Sequence, residues 1–217
     1  EDSRQRTQLL ELLHLLEEVL ERELALLEPV TEALRHAAWA HGVDAKIRWV
    51  NSETLTSETV EEALAGVAAV LVPGGFGHRG IEGKLLAARY ARERRIPYLG
   101  LCLGLQIAVI DVAREALGSS DANSTEFDMF TKHPVIDFTP DQRGVEEKGG
   151  TQRLGLYPAK LAPGSRAATV YGAEVVYERH RHRFEVANRF KPQLEAAGMR
   201  FTGVSPDSRL VEIIELA

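Results

Sequence analysis

An α/β fold, with a mostly parallel central sheet and helices on both faces, is predicted by three features of this 217-residue sequence. Short apolar runs alternate with helical segments between residues 46 and 116, the pattern of strands buried between crossover helices. Two of those runs end in glycine-containing turns, Pro73-Gly74-Gly75-Phe76-Gly77 and Gly100-Leu101-Cys102-Leu103-Gly104. Hydrophobic residues make up 44% of the chain and charged residues 27%, a balance that supports one full core.

The elements follow in chain order. Leu9, Leu13, Leu16, Leu20, Leu24, Leu27 and Leu34 recur at three- and four-residue steps and predict a long helical region over 4–41. Pro29 predicts a kink or break there, and Gly42 a C-terminal stop. Residues 1–28 then form an added amphipathic helix ahead of a domain over 29–217. Lys46–Val50 reads as a strand and Ser57–Ala65 as a helix capped by Ser57. Val67–Val72 reads as a buried parallel strand. Glu82–Arg94 is helical, Tyr98–Cys102 is a strand, and Gly104–Ala116 is helical again. Gly118–Glu126 and Asp141–Thr151 read as loops. Val175–Tyr177, Arg200–Val204 and Leu210–Leu216 are strand candidates, the last two joined as a hairpin by Ser205-Pro206-Asp207-Ser208. Arg189–Ala197 is a short helix.

Composition narrows the function classes. A net charge of −6 argues against a nucleic-acid partner, because phosphate binding needs a concentrated basic face. No apolar run approaches a membrane span, and no signal peptide is visible. Cys102 is the only cysteine, so no intrachain disulfide forms, and a reducing, cytoplasmic compartment is expected.

The chemistry centres on Cys102. Glycines flank it between a strand and a helix, as a nucleophile elbow requires. The following helix turns its N-terminal amides toward the sulfur, which predicts a stabilised thiolate. The competing reading is a buried structural cysteine. Gly74 and Gly75 allow backbone amides to approach a ligand, so this loop could donate to an oxyanion together with the Leu103 amide. Equally, it could be a tight turn or a phosphate loop. The run Arg179-His180-Arg181-His182-Arg183 admits a charged strand, a metal site or a phosphate site.

In order along the chain, PGGFG, RGIEGK (Arg79–Lys84), YARERRIPYLGLCLGLQ (Tyr90–Gln106), ANSTEFD (Ala122–Asp128), GGTQRLG (Gly149–Gly155) and ERHRHRFEV (Glu178–Val186) stand together. This set resembles the glutaminase domain of CTP synthases, a class I glutamine amidotransferase with a flavodoxin-like core, over residues 30–216. Gln152 stands where that family usually has Met, and Phe184 where it often has Tyr.

The resemblance implies a thioester mechanism on glutamine with no cofactor and no metal. Cys102 matches the nucleophile, and Gly75 and Leu103 the oxyanion positions. Gly75, Leu103, Gly104, Leu105 and Gln106 match the substrate-contacting segments. Glu126 matches the carboxylate that recognises the substrate's α-amino group, and Arg183 the residue contacting its α-carboxylate. The implied partners are glutamine and an amidoligase (synthetase) domain that converts UTP to CTP.

Three departures accompany it. None of the seven histidines stands in the family's His-Pro-Glu motif, which supplies the general base, so glutaminase turnover is expected to be impaired. The family's first strand is replaced by the Leu-rich helix Ser3–Leu27, which could pack on the domain or pair with a second copy as a homodimer. The strands at 46–50 and 67–72 would then pair directly. No amidoligase sequence is present. An engineered chain, a truncated paralogue or a fragment would each account for this. Two other functions stay open: an inactive scaffold or assembly module, and a different cysteine hydrolase using His78, His180 or His182 as base.

Overall fold

The computed structural model describes residues 27–138 and 153–216, so the Leu-rich segment before residue 27, the first half of GGTQRLG and the expected loop at 141–151 lie outside the described residues. The chain divides into two compact units, residues 1–49 and 50–217, each considered separately. In the first, helix α1 spans residues 27–40. It stops at Gly42, whose left-handed φ of 67° is the conformation a helix-ending glycine supplies cheaply. Thr31 Oγ1 donates to the Leu27 carbonyl within its first described turn, 2.7 Å away. Residues 43–50 form no strand, against expectation. Alternation in KIRWV supplies β propensity, but a strand exists only where a neighbour completes its ladder.

The second unit opens with a short helix, α2 (Val60–Ala63), and not the nine-residue helix expected. Thr59, not Ser57, precedes it. Thr59 Oγ1 accepts from the Thr56 amide at 2.9 Å, so this threonine pair closes a turn that competes with a longer helix. Strand β1 (Val70–Val72) follows, then α3 (Ile81–Glu93), β2 (Tyr98–Gly100) and α4 (Leu103–Ala116). β1 and β2 pair in parallel, Val72 opposite Gly100, as the apolar runs predicted.

Beyond α4 the chain is richer in strands than expected. β3 (Ala122–Ser124) lies within a predicted loop and pairs in parallel with β4 (His133–Phe138). β5 (Arg153–Leu161) leads to helix α5 (Arg166–Tyr171), which also went unforeseen. β6 (Val175–His182) is longer than the three residues expected, and β7 (Phe184–Val186) follows it after a single residue, Arg183. A 3₁₀ turn (Asn188–Phe190) and α6 (Lys191–Ala196) fill the helix predicted at 189–197. β8 (Met199–Val204) and β9 (Val211–Leu216) form the predicted hairpin. Ser205 closes its turn, with its hydroxyl 2.6 Å from Asp207 and its amide donating to the Leu210 carbonyl.

Three sheets result among the described residues: parallel β1–β2, mixed β3–β4–β7, and antiparallel β6–β5–β8–β9. The α/β class agrees with the prediction, and the antiparallel sheet adds to it. α4 runs through the centre of this unit. Ile107, Val109, Ile110, Val112 and Ala113 on it are almost fully buried, beside Val135 and Ile136 of β4 and Val186 of β7. A helix apolar on nearly all sides is a helix enclosed by other elements.

One charge interrupts that enclosure. Asp111 of α4 is 1% exposed and accepts from Arg89 Nε at 3.1 Å and Arg92 Nε at 2.7 Å, both on α3. A buried carboxylate is tolerable only when paired in this way. Its two arginines keep partial access to solvent, so Asp111→Ala should cost about 1.5–3 kcal/mol, the scale of hydrogen bonds to charged groups. Urea unfolding of the two proteins measures it, and an unchanged midpoint would refute the pairing's importance.

Candidate functional site

The site begins with a close approach of backbone to backbone. A Cβ built on Gly104 would lie 2.1 Å from the Val72 carbonyl oxygen, and one on Gly100 would lie 2.4 Å from the Gly104 carbonyl carbon. Only glycine fits at either place. The first turn of α4 therefore presses onto β1 and β2. The Leu101 amide donates to Val72 O at 2.9 Å, and the Tyr98 hydroxyl donates to Gly104 O at 2.8 Å. The chain must reverse within two residues, and Cys102 takes φ 53°, ψ −103° at the N-cap of α4. A non-glycine residue at positive φ is strained, and such strain persists only where its surroundings enforce it.

The Pro73–Gly77 loop lies over this elbow. An added Cβ on Gly74 would be 3.6 Å from Cys102 Cβ, and one on Gly75 would be 3.0 Å from Leu103 Cδ2. Gly77, at φ 73°, donates its amide to Glu126 Oε1 at 3.0 Å. Glu126 sits in the turn after β3, where the Ser124 hydroxyl accepts its amide at 3.1 Å. The Phe76 ring lies 6.0 Å from the Arg181 guanidinium, within cation–π range.

Arg183 occupies the single position at which the chain leaves β6 for β7, and so passes from one sheet to another. Buried ion pairs fix both sides of that corner. Arg153 bonds Glu185 of β7 at 3.0 Å and Glu212 of β9 at 2.8 Å, all three side chains being nearly or fully buried. His180 Nδ1 and His182 Nε2 are 2.8 Å apart, and His182 Nδ1 is 3.2 Å from the Phe184 carbonyl. Burial lowers the His180 pKa, against the pull of Glu212. Burial also raises the Glu185 carboxyl, which His182 and Arg153 oppose.

These segments, distant in sequence, close around a cavity of about 160 Å³ lined by Gly75, Phe76, Cys102, Gln106, Glu126, His182, Arg183 and Phe184. Six residues singled out from the sequence thus meet: Gly75, Cys102, Gln106, Glu126, Arg183 and His182, the last named as a base for the rival hydrolase. Leu103 and Gly104 are buried beneath as the first turn of α4, and Leu105 packs on the core. Gln106 donates its side-chain amide to the Phe184 carbonyl at 3.2 Å. Phe76 and Phe184 were not assigned to the site, although each stands inside a motif that flagged its neighbours. His78 is exposed and is not among the residues lining the cavity.

The state of Cys102 corrects an expectation. Its side chain reaches solvent, yet its thiol pKa is raised. Surrounding protein desolvates the sulfur, and the Leu103 amide, which favours thiolate, does not offset this. The carboxylates of Glu126 and Glu185 push further toward the thiol. The helix terminus alone therefore does not generate the nucleophile.

A larger hollow of about 380 Å³ opens beside Arg89, Arg92 and Arg114. Each of these arginines is already paired, Arg114 with Glu82 at 2.9 Å. Among the described residues no group of three His, Cys, Asp or Glu side chains could hold a metal ion, and no helix is long and apolar enough to cross a membrane.

Comparison with known proteins gives this geometry a lineage. The family model for class-I glutamine amidotransferases matches residues 27–217. The CTP synthase of Roseiflexus sp. (strain RS-1) is 60% identical over 188 residues, which is 86% of this chain and 34% of that protein. The CTP synthase of Halalkalibacterium halodurans is 57% identical over 187 residues, 86% of this chain and 35% of that protein. The chain thus spans about a third of the length of these curated relatives. Among solved structures, the glutaminase domain of Trypanosoma brucei CTPS with bound acivicin matches at a TM-score of 0.82 and 36% identity, covering 87% of this chain and 74% of that one. With its cysteine elbow, glycine loop and motif order, the chain belongs to the class-I glutamine amidotransferase family, on the branch of the CTP synthase glutaminase domains.

Proposed function

We propose that the chain binds glutamine and hydrolyses it through a thioester on Cys102, releasing ammonia of the kind a synthetase domain uses to convert UTP to CTP. One observation carries this reading: a single small cavity brings together a strained cysteine, a carboxylate and a guanidinium from three separate segments. Glutamine is a zwitterion with a side-chain amide, and the cavity offers a group for each part. Glu126 would take the α-ammonium and Arg183 the α-carboxylate, which leaves the amide carbon to Cys102.

In the reaction, the sulfur attacks the amide carbon and a C–S bond forms. The carbonyl oxygen becomes an oxyanion, for which the Gly75 and Leu103 amides are the candidate donors. Collapse breaks the C–N bond, the nitrogen leaves with an added proton as ammonia, and water hydrolyses the thioester to glutamate. Two proton transfers need a catalyst, one from the thiol and one to the leaving nitrogen. Within these 217 residues no His-Pro-Glu motif offers one. His182 lines the cavity, but both its ring nitrogens are engaged, with His180 and with the Phe184 carbonyl. That arrangement also weighs against a different hydrolase based on His180 or His182. An inactive scaffold retaining the elbow is the reading favoured by the raised thiol pKa, and turnover separates the two.

Ammonia and glutamate release by the purified 217-residue chain is expected at about 10²–10⁴-fold below an enzyme with its acid–base pair intact. It should vanish in Cys102→Ala. Release that survives this substitution contradicts the thioester reading, and no release in either protein supports the scaffold.

The thiol makes a separate prediction. Because its pKa is raised, thiolate is scarce at neutral pH and becomes the major form only above the ordinary thiol value of about 8.5. Iodoacetamide modification of Cys102 should accelerate with a midpoint above that value. Glu126→Gln removes a negative charge beside the sulfur and should move the midpoint down. A midpoint that moves up would contradict the assigned cause.

A further inference from the structure

We infer that Glu126 is also a positioning residue: through its hydrogen bond to the Gly77 amide it latches the glycine loop over the Cys102 elbow and so sets the oxyanion donor at Gly75. This deepens the glutamine reading and rests on it.

The loop has few other means of holding its place. It carries three glycines within five residues, and Gly77 takes a left-handed φ of 73°. Ordering such a loop is costly, because glycine loses more conformational freedom on folding than any other residue. Besides the Cys102 and Leu103 side chains beneath it, Arg181 and Glu126 reach the loop from other segments. Phe76 is 65% exposed, and Arg181 approaches its ring at 6.0 Å, a weak contact at an open site. Glu126 Oε1 at 3.0 Å from the Gly77 nitrogen is the stronger anchor, a direct hydrogen bond to a carboxylate oxygen. It joins residues 49 apart in sequence. The anchor point is two residues beyond Gly75, whose Cα sits close enough to Leu103 that an added Cβ would be 3.0 Å from its side chain. Slack at Gly77 would therefore open the spacing between the Gly75 and Leu103 amides.

Glu126 itself is braced from behind. The Ser124 hydroxyl accepts the Glu126 amide at 3.1 Å, and Thr125 Oγ1 donates to Asp137 at 3.0 Å. Ser124 is fully buried and Asp137 nearly so. A carboxylate has two oxygens. Oε1 serves the loop, and Oε2 can meet the substrate's ammonium without releasing it. Recognition of the α-amino group and placement of the oxyanion donor would then pass through one side chain.

A probe that lacks the α-amino group separates the two jobs. 5-Oxopentanoate carries the carboxylate and an aldehyde at the reacting carbon. The Cys102 S–H adds across its C=O, forming a C–S bond and a hydroxyl, without any leaving group or general acid. Its hemithioacetal, followed by ¹³C NMR, reads the oxyanion site whether or not the chain turns over glutamine. Glu126→Ala should weaken this binding about tenfold, the scale of one hydrogen bond. Glu126→Gln, which keeps an acceptor oxygen for Gly77, should restore it to within about twofold. Amide exchange at Gly77 should quicken in the alanine variant and stay slow in the glutamine variant. Equal binding by wild type and Glu126→Ala overturns the latch, as does equal weakening in both variants. A wild-type protein whose Cys102 reacts with iodoacetamide but forms no hemithioacetal overturns the glutamine pocket itself, and the latch with it. Circular dichroism of each variant confirms that the fold is kept.

Discussion

The contact of α4 with the β1–β2 pair decides everything around Cys102. Two glycines, Gly100 and Gly104, let backbone atoms meet at distances that any Cβ would forbid. The turn between them must then be sharp, and the cysteine at its apex is driven to positive φ. Strain here is a product of packing: the apolar faces of α4 bury Ile107, Val109 and Ile110 among strands and helices, and that burial holds the elbow shut. The glycine loop, the Glu126 turn and the Arg183 corner all take their positions around that fixed point.

The three segments reach the site by different physics. The glycine loop approaches because it has almost no side chains to keep it away. Glu126 arrives on a short strand whose neighbours, Ser124 and Asp137, are buried polar groups satisfied by local bonds. Arg183 sits at a junction between two sheets, clamped by the Arg153 ion pairs to Glu185 and Glu212. Buried ion pairs of this kind contribute little net stability, but removing one partner leaves a stranded charge. Their effect here is positional, because they fix the corner on which Arg183 stands.

Much of this was legible in the sequence, for a definite reason. Cys102 and Gly75 lie in glycine-rich turns between a strand and its next element, whereas Glu126 and Arg183 were reached only through the resemblance of their motifs to the family. The elements lost to sequence reading depend on distant partners. β5 contains Gly155 and Pro158, which argue against a strand. Yet Pro158 pairs with Tyr177 of β6, and β8 joins β5 only at Lys160 and Leu161, so no ladder bond needs the missing amide. β4 opens with His133 and Pro134 and ends near a buried Asp137, a pattern that hides its two-sided burial. Lys46–Val50 shows the reverse error, a strand-like sequence without a ladder. The thiol was misjudged for a similar reason: the helix terminus is visible in the sequence, whereas desolvation and two approaching carboxylates are not.

The central claim is that the cavity beside Cys102 recognises glutamine. The most direct measurement is the rate of Cys102 modification by acivicin, a thiol-reactive glutamine analogue, as a function of its concentration and with L-glutamine as competitor. The account predicts a rate that saturates and is suppressed by glutamine. A rate that rises linearly without saturation and is indifferent to glutamine would contradict it, and would leave the elbow as a strained cysteine with no substrate pocket around it.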